Sequence, residues 1–151
     1  MCMVAFVASE EPLPLTPVED PVVFQAKRVL AGSEPVLRLF SKPHVYKLGS
    51  VHGCACGFGY SPAELEVLAE ADWPDEVKDM KFAEYEAQRE SVRRLKEYLR
   101  LALGTGTTEV YSCWEGDEEE EPDSWINVTL DHFGGDAFAF EECQFLTVSG
   151  G

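Results

Sequence analysis

The sequence has no long apolar run, and this absence excludes one large class of proteins. A membrane-spanning helix needs about eighteen or more apolar residues in succession, and no segment approaches that length. The opening stretch MCMVAFVASEE has no basic region and too short an apolar segment for a secretory signal peptide. We therefore expect a cytoplasmic protein that does not associate with membranes.

Basic residues are scarce as well. The chain has 12 Lys and Arg residues against 28 Asp and Glu residues, which gives a formal net charge of −16. This charge opposes binding to a phosphate backbone, so we expect no nucleic-acid partner. The excess of acid either keeps a small protein in solution or forms a surface that recruits a basic protein partner, and composition leaves both interpretations open.

Regular cysteine pairing is the third missing feature. Five cysteines, an odd number at irregular spacing, fit a reducing compartment better than a framework of disulfides. A chain of 151 residues, 45% of them hydrophobic, can close one core of ordinary size. We predict a single domain over residues 1–151.

Glycine and proline residues divide the chain into a β-rich first third, a helical middle and a β-rich end. The two β-rich parts predict strands at 3–8, 35–40, 44–50, 107–114, 125–130, 137–140 and 143–148. An acidic loop is expected at about 115–124. The predicted fold class is α+β, in which an antiparallel or mixed sheet comes from both chain ends and two central helices cover one side of it.

The two central helices have clear sequence signals. The motif SPAE at 61–64 supplies an N-cap serine, a proline at the first helical position and a glutamate three residues after the cap, which predicts a helix over 62–72. A second helix is predicted over 84–103, followed by Gly104 as a C′ residue. Its apolar stripe, which we expect to pack on the sheet, comprises Tyr85, Val92, Leu95, Leu99, Ala102 and Leu103.

The segment KPHVYKLGSVHGCACGFGYS, residues 42–61, concentrates histidine, cysteine and glycine. In an extended chain, alternate side chains share a face, so His52, Cys54 and Cys56 would present one imidazole and two thiolates together. These are three of the four ligands of a zinc site. Candidates for the fourth ligand are His44, Cys113, His132 and Cys143.

Other interpretations of the same segment stay open. The one we favour is a tight turn, in which glycines supply unusual backbone angles and Cys54 and Cys56 are small buried side chains. A disulfide between Cys54 and Cys56 would span one residue and be strained. A phosphate-binding loop ahead of the helix at 62 is a further alternative, although the glycine spacing fits neither a dinucleotide fingerprint nor a Walker loop.

Cys2 is a separate candidate for catalysis. Removal of a preceding methionine would leave an N-terminal cysteine whose own α-amine could act as the base, as in N-terminal nucleophile amidohydrolases. This interpretation makes Cys2 the candidate catalytic residue. The alternative is a buried or merely terminal cysteine.

Four segments resemble a family of small bacterial proteins of unknown function: MCMVAFVAS, LFSKPHVYKLGSVHGCACGF, VYSCWEGD and FEECQFLTV. The shared features are an N-terminal Met-Cys strand, a Gly-Cys-x-Cys-Gly-Phe turn and a Cys-Trp-x-Gly-Asp segment. The resemblance covers both β-rich ends of the chain. It implies one compact domain with a site assembled from those segments.

The sequence leads to two hypotheses on function. The first is a pocket near residues 44–60 that binds a small ligand or a metal such as zinc, lined by His44, Tyr46, His52, Cys54, Cys56 and Cys113. The second is a non-catalytic module whose acidic surface binds a basic protein. An amidohydrolase based on Cys2 ranks behind both, and the sequence leaves open whether the protein is an enzyme.

Overall fold

The computed structural model describes residues 1–16 and 22–150. Its strands are β1 (Met3–Ser9), β2 (Gln25–Arg28), β3 (His44–Gly49), β4 (Thr108–Trp114), β5 (Ser124–Thr129) and β6 (Gln144–Ser149). Its helices are α1 (Pro62–Glu70) and α2 (Asp75–Leu103), and short 3₁₀ turns lie at Pro35–Leu39, Ala55–Gly57 and Leu130–His132. The strands predicted at 3–8, 44–50, 107–114, 125–130 and 143–148 are therefore confirmed, as are both helices.

The six strands form one mixed sheet in the order β2-β3-β1-β4-β6-β5. All pairs are antiparallel except β5 with β6, which run parallel. Strands from the two chain ends meet at the centre, where Ala5 of β1 lies opposite Leu48 of β3 on one side and Ser112 of β4 on the other. The predicted α+β class, with a mixed sheet built from both ends, is confirmed.

Both faces of the sheet are covered. On one face, Leu95 and Leu99 of α2 are fully buried in a core with Ala5, Val7 and Val110 of the sheet. This arrangement confirms that the apolar stripe of α2 packs on the strands. The other face carries a second core that includes Phe6, Tyr111 and Phe145 and is closed by Val36 with its neighbours at 29–40. The expectation that only one side is covered was wrong, because this segment shields the second face.

Two predicted strands are absent from the described residues. The segment 35–40 is a 3₁₀ helix at Pro35–Leu39, since Pro35 fixes a helical φ at its first position and Val36 points into the second core. The segment 137–140 contributes only an isolated bridge between Phe138 and Tyr60. There Phe138 and Phe140 pack against each other with their rings 5.2 Å apart rather than joining the sheet.

The helix boundaries also differ from the prediction. Helix α2 begins at Asp75, nine residues before the predicted start, because Pro74 stands at its N-cap and Asp75 and Glu76 place negative charge in its first turn. Ser61 stands at the N-cap of α1 as expected, yet its side chain makes no capping hydrogen bond. Among the described residues, no helix is both long and apolar enough to cross a membrane.

A candidate metal site of three cysteines

The antiparallel pairing of β1 with β3 brings distant cysteines together. The strands pair with Ala5 opposite Leu48 and Ser9 opposite His44, so the start of β1 lies beside the end of β3. Cys2 directly precedes β1, and the turn that carries Cys54 and Cys56 directly follows β3. The sulfur atoms of these three residues all lie within 4.8 Å of one another. We call this group the three-cysteine site.

Ser50 holds the turn in a closed shape. Its backbone N–H donates to the carbonyl of Cys54 at 2.9 Å, and its hydroxyl donates to the same carbonyl at 2.5 Å. The carbonyl of Ser50 in turn accepts the backbone N–H of Gly53 at 2.8 Å. Gly53 has a φ of +81°, a left-handed angle that glycine adopts without strain. The loop before Cys54 is therefore fixed by its own hydrogen bonds.

Ser91 of α2 ties this turn to the body of the protein. Its hydroxyl oxygen accepts the backbone N–H of Val51 at 3.1 Å, and its hydroxyl donates to the carbonyl of Val23 at 2.8 Å. Ser91 is fully buried. The turn thus rests on the long helix through a buried polar side chain with both partners satisfied, which restricts its movement.

The close approach of the Ser50 side chain explains the glycine at position 57. A Cβ atom at Gly57 would lie 2.2 Å from the hydroxyl oxygen of Ser50, inside any permissible contact. A Cβ atom at Gly59, in contrast, would lie 3.5 Å from its nearest neighbour, an ordinary contact distance. The tight turn is confirmed by the hydrogen bonds of Ser50, but the group that approaches Gly57 is the Ser50 side chain rather than another backbone, and a larger residue at position 57 would push Ser50 away from Cys54.

The cysteines of the turn are nevertheless accessible. Cys54 is half-buried and Cys56 is exposed, so the expectation that both are buried core side chains was wrong. Between them, Ala55 is 2% exposed and points into the core. Cys54 is extended, but Ala55–Gly57 forms a 3₁₀ turn, so simple alternation along an extended chain does not describe the segment.

A backbone donor faces one of the three sulfurs. The N–H of Met3 donates a hydrogen bond to the sulfur of Cys56 at 3.1 Å. Hydrogen bonds from backbone amides stabilise the negative charge of a thiolate and orient it as a metal ligand. Among the three sulfurs, that of Cys56 thus has a backbone donor at hydrogen-bond distance.

The remaining residues predicted for the pocket lie elsewhere. His52 is exposed, and its Nε2 atom lies 3.5 Å from a carboxylate oxygen of Glu84 on α2. His44 is at the far end of β3, where its Nδ1 atom lies 3.1 Å from the guanidinium of Arg28. Tyr46 is buried, and its hydroxyl accepts the N–H of Leu13 at 2.8 Å.

The candidates for a fourth ligand are also distant from the site. Cys113 and Cys143 are buried in the second core, on the face of the sheet opposite α2. Burial raises the pKa of the Cys113 thiol to about 12 and also raises the pKa of Cys143, which keeps both thiols neutral. His132 is exposed, with its ring 5.2 Å from that of Phe133. In the described part of the chain, none of these residues joins the three-cysteine site.

Cys2 was a candidate nucleophile that ranked behind the other hypotheses, and its position makes it a ligand candidate that takes the place predicted for His52. One signal could have identified it. If the strands at 3–8 and 44–50 are antiparallel neighbours in the sheet, the residue before the first strand lies next to the turn that follows the second strand. The C-x-C turn and the Met-Cys start are then parts of one site.

The sulfur geometry suits a tetrahedral metal ion. Zinc binds thiolates at about 2.3 Å, which places tetrahedral sulfur atoms about 3.8 Å apart. The sulfur atoms of Cys2, Cys54 and Cys56 lie within 4.8 Å of one another, about 1 Å more than that value at most. Thiolate sets of this kind select soft or borderline metals such as zinc and Cu(I) over magnesium and calcium.

The chain matches no protein-family model, no curated protein and no solved structure. The resemblance to the family of small bacterial proteins therefore stays a prediction from the sequence.

Proposed function

We propose that the protein is a zinc-binding domain whose metal ligands are Cys2, Cys54 and Cys56. The observation that carries this proposal is the convergence of three sulfurs within 4.8 Å from two segments that are distant in the chain. Zinc is the metal of choice because it accepts three protein ligands, tolerates thiolates and requires no redox partner.

The surroundings of the site support metal binding over a disulfide. The amide of Met3 donates to the sulfur of Cys56, as expected of a support for a metal-bound thiolate. Ser50 and Ser91 fix the turn through the protein's own hydrogen bonds. A preorganised ligand set loses less conformational entropy on binding and so binds more tightly.

Zinc titration against a chromophoric chelator tests the proposal. Reduced, metal-free protein should take up about one zinc ion per chain, while the single variants Cys54→Ser and Cys56→Ser should lose stoichiometric uptake. Cys113→Ala is the matched control, since its thiol is buried in the second core. Retained uptake in both turn variants, with circular dichroism confirming their fold, would reject the three-cysteine site.

We also propose that the protein works in a reducing compartment such as the bacterial cytoplasm. All five of its cysteines are unpaired. Three neighbouring thiols would be prone to oxidise in a secreted protein, whereas cytoplasmic thiols are kept reduced and free for metal. Quantitative thiol labelling in fresh lysates of bacteria that produce the protein tests this. We expect the three ligand cysteines to be labelled only after zinc has been removed by a chelator.

A second proposal concerns binding to a basic protein. Arg38 donates to the backbone carbonyls of Glu118, Glu119 and Glu120, which fixes the acidic loop while the side chains of Glu119 and Glu120 remain exposed. A fixed group of exposed carboxylates favours a basic partner through electrostatic complementarity.

Charge-matched variants test this second proposal. Changing residues 118–121 to glutamine should weaken binding of a lysine-rich peptide more than changing four other exposed acids, Glu66, Glu70, Glu76 and Glu86. Equal weakening by both sets would mean that net charge alone attracts the peptide and would reject a dedicated surface.

A further inference from the structure

A groove of about 540 Å³ begins at Cys56. Its wall consists of Gly59, Tyr60, Ser61, Glu64, Gln88, Ala137, Phe138, Ala139 and Glu141. Tyr60 and Phe138 exchange two backbone hydrogen bonds, of 2.9 and 3.0 Å, across it. The three-cysteine site therefore borders this surface depression through Cys56.

Among the described residues, the ligand count leaves one metal position free. Structural zinc sites are closed by four protein ligands, whereas sites that act on another molecule keep the fourth position for water or substrate. Over residues 1–16 and 22–150, no fourth cysteine, histidine or carboxylate joins Cys2, Cys54 and Cys56. Cys56 is the exposed member of the three and lies in the wall of the groove, so the free position is accessible from that side.

The groove is negatively charged. Glu64 and Glu141 contribute carboxylates, and the described lining contains no lysine, arginine or histidine. Glu141 is held in place, because its carbonyl accepts the hydroxyl of Ser112 at 2.6 Å and its carboxylate accepts the side-chain amide of Gln144 at 3.1 Å. A zinc ion with three thiolates adds a net charge of about −1. An anionic ligand would meet repulsion from all of these groups.

We propose that the free zinc position faces this groove and takes a small neutral nitrogen base, of which imidazole is the simplest example. The neutral nitrogen donates its lone pair to the metal as a water molecule leaves, so no redox step or co-reactant is needed. The conjugate acid of the same base is cationic, and Glu64 and Glu141 raise its local concentration; it releases its proton to water before the freed lone pair binds the metal. The same charges weaken the binding of carboxylate and phosphate ligands. This inference rests on the proposed zinc site.

Cobalt-substituted protein reports on both the metal and its fourth ligand. Cobalt held by three thiolates gives sulfur-to-metal charge-transfer absorption, and the visible bands shift when the fourth ligand changes. Imidazole should shift those bands with saturation, while acetate should need a much higher concentration to produce the same shift. Equal responses to imidazole and acetate, or no response to either, would overturn the inference.

Charge variants of the groove sharpen the test. The double variant Glu64→Gln with Glu141→Gln should raise the affinity for acetate by about threefold or more, since it removes the repelling charges. The matched control, Glu66→Gln with Glu142→Gln, makes the same change in net charge at exposed residues outside the groove lining and should leave acetate binding unchanged. Acetate affinities that rise equally in both pairs would contradict a role for the groove carboxylates.

The same spectra separate the two proposals. Absence of the charge-transfer absorption from three thiolates would mean that the zinc proposal fails, and the groove inference with it. If the charge-transfer absorption is intact but imidazole does not shift the visible bands, the zinc proposal is retained and the groove inference alone is rejected. Ala139→Trp provides a second check, because an indole at this exposed groove position should remove the imidazole response without changing cobalt stoichiometry.

Discussion

The backbone N–H of Met3 lies 3.1 Å from the sulfur of Cys56, and this contact joins the first residue of the central strand β1 to the turn after β3. The sheet and the three-cysteine site are therefore coupled. A metal ion at the site would join the start of β1 to the turn, so binding should stabilise the whole fold, by an amount that grows with the logarithm of the zinc affinity.

Thiol reactivity separates the two groups of cysteines. Cys2, Cys54 and Cys56 are accessible, so we expect three labels per native, metal-free chain from an alkylating reagent near pH 8. Cys113 and Cys143 should remain unlabelled, because burial excludes the reagent and raises the pKa of both thiols, that of Cys113 to about 12.

Mass spectrometry counts the labels. Denatured protein should carry five, and zinc-loaded native protein should carry none on the three ligand cysteines. Rapid native labelling of Cys113 would contradict the burial of the second core.

Gly57→Ala tests the close approach that shapes the turn. The added Cβ would lie 2.2 Å from the Ser50 hydroxyl, so the turn must open at a cost of about 1–3 kcal/mol in the free energy of unfolding. Zinc affinity should also fall, because the opened turn no longer holds the sulfurs of Cys54 and Cys56 in place. Gly59→Ala is the matched control, since its Cβ meets nothing closer than 3.5 Å. Thermal unfolding and zinc titration of both variants measure the difference, and equal behaviour of the two would contradict the account.

Ser91→Ala removes the link between the turn and α2. The backbone N–H of Val51 and the carbonyl of Val23 would lose their partner, which we expect to lower the free energy of unfolding by about 1–3 kcal/mol. Because the turn is then less well positioned, zinc affinity should fall by about tenfold or more. Ser149→Ala, which removes a 3.4 Å hydrogen bond at the half-buried end of β6, should leave zinc affinity unchanged. A stability loss with unaltered zinc affinity would show that Ser91 is not a positioning residue.

Arg38→Ala should release the acidic loop without unfolding the protein. The guanidinium donates to the carbonyls of Glu118, Glu119 and Glu120, and its ion pair with Glu121 is exposed. We expect faster cleavage of the loop by a glutamate-specific protease and a stability change of less than about 1 kcal/mol. Arg100→Ala, at an exposed position of α2, should not accelerate cleavage. Equal cleavage rates in both variants would mean that Arg38 does not hold the loop.

The predictable parts of the fold are those encoded by local pattern. Alternating or continuous apolar runs located β1, β3 and β4, and the stripe through Leu95 and Leu99 identified the buried face of α2. The segment 35–40 was wrongly predicted as a strand, because its five apolar residues out of six fit a strand as well as a 3₁₀ turn. The packing of Val36 against the second core, which no local pattern shows, favours the 3₁₀ turn.

The site was only half predictable, for a physical reason. Cys54 and Cys56 are close in sequence, so the local pattern was enough to identify them as candidate ligands. Cys2 joins them through the pairing of β1 with β3, which is a tertiary contact that no local pattern contains. His52 was expected in the site by alternation, but the chain turns at residues 50–53, where Gly53 has a left-handed φ of +81°, and His52 instead lies near Glu84.

X-ray absorption at the zinc edge tests the central claim most directly, because it counts the ligand atoms around the metal. For the zinc-loaded protein we predict three sulfur atoms at about 2.3 Å and one oxygen or nitrogen atom at about 2.0–2.1 Å. The Cys2→Ser variant should lose one sulfur from this shell. A shell of nitrogen and oxygen atoms alone, or an unchanged sulfur count in Cys2→Ser, would contradict the assignment of Cys2, Cys54 and Cys56 as the zinc ligands.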